Sequence, residues 1–341
     1  MFNKDVPSQE YKVLSALKPF LNFTPGSNYS SGIGDDAVVR RCTADERVVL
    51  TADIAVEEVH FSRRYMSLSE IGFRAMVSNI SDCAAMGASV DGAMVQLVFP
   101  DKLENTEEHI QEIYRGFHRA CRKWQFPIIG GDLSRGPQWV LAITLLGKVA
   151  SGENVLYRSG AKPGDVIWVS GHPGQSGAGL EVLERFGREQ LEYRQLIDAH
   201  VRPSARIELG RALAADNRLH AAIDISDGVA KESRTIAFES SVTIELNLPE
   251  ELCTQQMRRL SQETGVDWRH WVLNGGEDYE LLFTADPDFK PGDLKLRELL
   301  PLYPIGRCIG QTPGMVVRDH RGRSIESRAN GYDHFSEDRK G

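Results

Sequence analysis

The chain has 341 residues, 41% hydrophobic and 26% charged, with a formal net charge of −8; the length exceeds what one core usually organises, and the composition excludes disordered, collagen-like and coiled-coil classes. The negative charge leaves no basic stripe for a phosphate backbone, which argues against a nucleic-acid partner. No apolar run reaches the roughly 18 residues of a membrane helix and the start lacks an apolar signal core, so the expectation is a cytoplasmic two-domain protein, neither secreted nor membrane-bound. The cysteines Cys42, Cys83, Cys121, Cys253 and Cys308 are scattered, with no CxxC pair, as suits reduced thiols in that compartment.

In chain order, β-branched and aromatic runs predict strands at Arg47 to Leu50, Ala93 to Phe99 and Trp139 to Leu146. Between them the capping box Ser67-x-x-Glu70 opens a helix that closes near Gly87, with Ser78, Asn79 and Asp82 on one face. A second helix, mixed in charge and suited to surface packing, spans Thr106 to Trp124. The Gly/Ser/Pro-rich stretch Ser151 to Asp165 reads as the crossing between domains, giving 1–150 and 151–341. A strand at Val166 to Ser170 then leads through a glycine-rich turn to a helix near Ala178; Arg206 to Ala215 reads as helical. Further strands are predicted at Ala221 to Ile225, Val242 to Leu246, Tyr279 to Thr284 and Tyr303 to Ile309, with Tyr279 and Phe283 in the core and a polar, irregular tail after Arg318. The fold class is therefore α/β (α+β).

Six segments place carboxylates at an apolar strand end or in an apolar helix, mostly beside glycine: Gly32 to Asp36, Thr51 to Asp53, Asn79 to Asp82, Gly130 to Asp132, Asp224 to Gly228, and Gly275 to Glu280. Singly, each reads as an ordinary turn or helix cap, and Asp132 to Gly136 as only a turn. Together they point to convergence. Two carboxylates about 4 Å apart repel by roughly 4 kcal/mol at an effective dielectric near 20, so a cleft that gathers several needs cations. Oxygen donors without a Cys/His set select magnesium or manganese over zinc, and no EF-hand loop suggests calcium. Carboxylates with glycine-lined loops point to metal held against nucleotide phosphates. Neither GxxxxGK[ST] nor the HRD and DFG motifs of protein kinases occur.

The blocks GIGDDAVV (32–39), TADIAVEEVHF (51–61), VSNISDCAAMGA (77–88), GGDLSRGP (130–137), YRSGAKPGD (157–165), DISDG (224–228), GGEDYELLFT (275–284) and GYDHF (331–335) together resemble the thiamine-monophosphate kinase family. That family is grouped with aminoimidazole ribonucleotide synthetase, selenophosphate synthetase and the hydrogenase maturation ATPase. The resemblance implies a two-domain fold, a homodimer whose N-terminal sheets join into a barrel, and Mg2+-dependent transfer of the ATP γ-phosphate to thiamine monophosphate. It assigns metal and catalysis to Asp36, Asp53, Asp82, Asp132, Asp224 and Asp227 with help from Thr51. ATP falls to Gly131, Asp132, Arg158 and Ser226, and the thiamine substrate to His60 and Glu277. Three positions depart from the family's pattern: Ala52 stands where Thr is usual, Glu58 where Gly is usual, and Ala329 where some members carry Trp. Two alternatives stay open: a related enzyme with another small acceptor, and a nucleotide-binding protein without turnover. A phosphohydrolase is a further one.

Overall fold

The structure is a computed structural model describing residues 29–31, 36–41, 47–102, 104–296, 300–318 and 324–325. Asp35, Cys42, Ala329 and the GYDHF block lie outside the described residues. The first sheet contains β1 (Tyr29–Ser31), β2 (Val38–Arg41), β3 (Arg47–Val56), β4 (Ser89–Pro100), β5 (Ile128–Gly136) and β6 (Val140–Val149), in the order β1-β2-β3-β6-β4-β5. Among its described strands only the β4–β5 pair is parallel. Along β6, Leu141, Ile143 and Leu145 are buried, and register puts Thr51 and Asp53 of β3 beside Leu145 and Ile143 on that same face. Strand pleating turns Ala52, Ile54 and Met94 to the other face.

Helix α1 (Leu68–Ala85) carries the predicted capping box at Ser67 and Glu70, and Gly87 follows it in left-handed backbone at φ 73°. It is buried on almost every side; of its residues only Ser69, Ser78 and Asp82 escape full burial. Helix α2 (Thr106–Trp124) has the predicted bounds and packs a narrow apolar stripe on α1. The crossing is close: a Cβ at Gly116 would lie 2.0 Å from the Ser69 carbonyl oxygen.

The second sheet contains β7 (Val166–Ser170), β8 (Leu219–Asp224), β9 (Thr243–Leu246), β10 (Leu281–Ala285), β11 (Leu302–Gly310), β12 (Gly314–Arg318) and β13 (Ser324–Ile325). Its order is β13-β12-β9-β11-β7-β10-β8, with β9 and β12 parallel. With it go α3 (Gln175–Arg185), α4 (Arg194–Val201), α5 (Ile207–Ala214), α6 (Val229–Glu239), α7 (Gln255–Thr264) and α8 (Trp268–Asn274). The predicted strands recur here within one or two residues at most ends, and Tyr279 and Phe283 are buried as expected.

Three expectations change. The stretch Asp132 to Gly136, which taken singly reads as a turn, lies within the nine-residue strand β5, where tertiary pairing with β4 overrides the turn preference of Gly, Asp and Ser. Glycine is required at 131 because a Cβ there would lie 1.9 Å from the Val95 carbonyl oxygen. Strand β3 runs on to Val56, since Asp53 faces a cavity and does not end the pairing with β6. The tail read as irregular adds β13 to the sheet edge.

Helix α1 joins the two halves by packing on β3 and β6 on one side and on α5 and β8 on the other. At the α5 contact a Cβ on Gly210 would lie 1.9 Å from the Ala84 carbonyl oxygen. In an exposed helix Gly→Ala stabilises by about 1 kcal/mol. Here the sign reverses: Gly210→Ala destabilises the protein by about 2 kcal/mol or more, read as a lower midpoint in urea unfolding, and an unchanged or raised midpoint would contradict the packing.

Candidate active site

A cavity of about 1340 Å³ is lined by residues of both halves. Three chain segments far apart in sequence deliver carboxylates to it: Asp36 before β2, Asp82 from the open line of α1, and Asp224 at the end of β8. One oxygen from each lies within 4.8 Å of the other two. Asp53 of β3 and Asp227, in the turn after β8, line the same cavity. Thr51 donates its hydroxyl to Asp82, and the Asn79 side-chain oxygen accepts from the Asp53 amide at 3.0 Å. Of the predicted polar line on α1, Ser78 and Asp82 therefore reach the cavity, while buried Asn79 braces β3. Ala52 sits on the opposite face of β3 from Thr51 and Asp53, so the hydroxyl it lacks belongs to a different side of the sheet.

Crowding shows in the electrostatics. Removal from water, then the neighbouring carboxylates, push Asp82 and Asp224 well above the usual carboxylate range. Glu232 of α6, buried beside Asp227, is raised to about 8, burial leading and Lys231 and Arg158 opposing. Two cations offset part of this charge. Arg158 holds Asp36 through two hydrogen bonds of 2.8 and 3.1 Å, and Lys231 reaches Asp227 at 2.7 Å. The all-oxygen donor set of Asp36, Asp82 and Asp224, with the Thr51 hydroxyl beside it, fits a hard divalent cation such as Mg2+.

A second cluster adjoins the first. Arg74 of α1, almost wholly buried, pairs with Glu277 and donates to the His60 carbonyl oxygen at 2.6 Å. The His60 Nδ1 accepts from the Val56 amide at 3.1 Å, which fixes the neutral ring's proton on Nε2. Glu277 and Tyr279 both adopt left-handed backbone, φ 64° and 53°. Their amides are pinned to the Ser226 and Ile225 carbonyls at 2.7 and 3.0 Å, so the Asp224–Gly228 and Gly275–Glu280 motifs support one another. Asp278 and Glu280 are structural: Asp278 accepts from the Gly174 and Ser176 amides at the start of α3, and Glu280 pairs with Arg206. Glu58 also adopts left-handed backbone, at φ 58°, a conformation that favours glycine; its carboxylate bonds Ser62 and pairs with Arg64 and does not line the cavity.

Gly131 and Asp132 are not brought to this cluster. Register aligns Asp132 with Gln96, Ala142 and Ile54, on the face opposite Asp53 and three strand spacings, roughly 14 Å, from β3. Arg74, Lys231 and Glu232 are the residues that sequence reasoning missed. Arg74 was signalled by a long cation inside the apolar run Ile71 to Val77, which needs a partner once buried, and Lys231 by its i,i+4 spacing from Asp227.

Glu232 sets a pH dependence. Its proton is retained in the folded protein up to about pH 8 and lost near 4.5 in the unfolded chain. The folded state thus binds more protons through that window, and stability is highest at its acid end and declines as pH rises. In metal-free buffer the melting temperature falls between about pH 6 and about pH 8, and Glu232→Gln flattens the slope and raises stability at the alkaline end. Thermal denaturation followed by circular dichroism checks this; an unchanged slope in the variant would count against the buried proton.

The profile described as AIR synthase related protein, N-terminal domain, matches residues 34–149, and that described as AIR synthase related protein, C-terminal domain, matches residues 162–307. Thiamine-monophosphate kinase of Bacillus subtilis (strain 168) is 33% identical over 318 residues, covering 91% of this chain and 94% of its own. The Aquifex aeolicus (strain VF5) enzyme of the same name is 33% identical, with 90% and 94% covered. A solved structure described as AaThiL complexed with AMPPCP and TMP superposes with a TM-score of 0.81 at 29% identity, covering 96% of this chain and 97% of that one. With three carboxylates gathered as the motifs implied and relatives matched along nearly its whole length, this chain belongs to the thiamine-monophosphate kinase family.

Proposed function

We propose that the protein is a Mg2+-dependent kinase that transfers the γ-phosphoryl group of ATP to thiamine monophosphate, giving thiamine diphosphate and ADP. The observation that carries this reading is the meeting of Asp36, Asp82 and Asp224 within 4.8 Å beside Arg158. Asp36, Asp82 and Asp224, with Asp53, Asp227 and Thr51, hold the metal, which when bound neutralises phosphate charge. Arg158 and Ser226 bind the nucleotide, and His60 and Glu277, braced by Arg74, orient the acceptor. The acceptor phosphate is already anionic, so alignment and charge neutralisation carry the reaction and no general base is needed. Residues 1–150 supply metal, nucleotide and dimer surfaces, and 151–341 complete the site.

The partner is a second copy of the chain. The open face of the first sheet exposes Ile54 at 55% and Met94 at 40%, and an antiparallel sheet apolar on both faces needs cover on both. Two such sheets stacked into a barrel provide it, and Gly131 and Asp132, on or near that face, then serve the nucleotide site of the neighbouring copy. No helix among the described residues is long and apolar enough to cross a membrane, and the buried cysteines Cys83, Cys121, Cys253 and Cys308 are unbridged; a cytoplasmic location fits both.

The decisive assay supplies ATP, Mg2+ and thiamine monophosphate and follows ADP and thiamine diphosphate. Both products appear together, and Asp82→Asn lowers kcat by about 100-fold or more with folding intact. ADP formed without acceptor, or only with another acceptor, would overturn the reading. For the partner, sedimentation gives a dimer that Ile54→Glu converts to monomer; a monomeric wild type would remove the shared-site role of Asp132.

A further inference from the structure

Arg158 is committed to a carboxylate that the metal also requires. Its Nε lies 3.1 Å from Asp36 Oδ2 and its terminal nitrogen 2.8 Å from Oδ1, so the planar guanidinium engages both oxygens. The Asp36 side chain is fully shielded from solvent, while that of Arg158 is 25% exposed. One Asp36 oxygen is also a member of the three-carboxylate group. A divalent ion seated there and the guanidinium would share one carboxylate at close range, two positive centres on a single acceptor.

The backbone around Arg158 is held. The Ser240 hydroxyl accepts from the amides of Gly160 and Ala161, both at 3.1 Å, and the Tyr157 carbonyl accepts from Ala222 at 2.8 Å. Any exchange of partner by Arg158 is therefore a movement of its side chain alone. Phosphate oxygens match the guanidinium fork as well as a carboxylate does.

We infer that Arg158 is an internal counter-ion of the carboxylate cluster that competes with divalent metal for Asp36, and that nucleotide phosphate draws it away, so that metal and nucleotide favour each other's binding. The inference rests on the reading of the cavity as a metal–nucleotide site and adds how that site stays stable before it is filled. With Arg158 in place the cluster tolerates its own charge but takes metal weakly. The favourable coupling is reciprocal between the two ligands.

The test measures Mn2+ binding to the full chain without nucleotide, by electron paramagnetic resonance of the free ion. Arg158→Gln binds Mn2+ on the order of tenfold more tightly than the wild type. Arg158→Lys, which keeps the charge, stays near the wild type, and Lys148→Gln, which removes a distant exposed charge, changes nothing. Should Arg158→Gln not fold, the wild type still reports: the Arg158 Nε–H resonance, identified by its loss in Arg158→Lys, shifts when Mg2+ is added. Tight Mn2+ binding that is unchanged or weakened in Arg158→Gln, or a resonance indifferent to Mg2+, overturns the inference alone. Absence of Mn2+ binding to every variant, with and without a non-hydrolysable ATP analogue, overturns the metal reading and the inference with it.

Discussion

Mutual repulsion among buried carboxylates is the constraint on which the rest of the molecule depends. The Asp36, Asp82 and Asp224 oxygens lie within 4.8 Å of one another, where each ionised pair opposes folding by roughly 3 kcal/mol or more at an effective dielectric of about 20. Asp53, Asp227 and Glu232 add to the load, and Arg158 and Lys231 relieve only part of it. Under the proposed function, a cation and a polyphosphate relieve the remainder.

Helix α1 makes the arrangement possible. It is closed in by the first sheet, by α2 and by α5, with glycines 72, 87, 116 and 210 allowing backbones to approach where a methyl group would collide. Burial on nearly all sides leaves Ser78 and Asp82, one turn apart, at the cavity. The same helix carries Arg74 on to the Glu277 and His60 cluster, so one rigid element sets the spacing between that cluster and the three carboxylates.

Support also runs between loops. The Glu277 and Tyr279 backbones sit in left-handed conformations that cost on the order of 1 kcal/mol each or more, and hydrogen bonds to Ser226 and Ile225 offset this. Asp278 faces the other way, to the amides that begin α3. Neighbouring acidic residues thus divide between cavity and scaffold, a division set by the direction of each side chain.

Much was legible in the amino-acid order because it depends on near neighbours. The Ser67–Glu70 capping box, the bounds of α2, the apolar strands and the concentration of Asp beside Gly are local patterns, and chemistry alone turned the last into an expectation of hard cations. Tertiary structure decided the rest. Whether Gly130 to Gly136 forms a turn or a strand depends on β4 lying alongside, and whether Asp132 joins Asp82 depends on which face of a pleated sheet it occupies. Arg74, Lys231 and Glu232 became functional candidates only once burial removed the water that would otherwise have solvated them. Spacing along a chain determines which side chains share a helix or strand face; only packing between elements determines what that face meets.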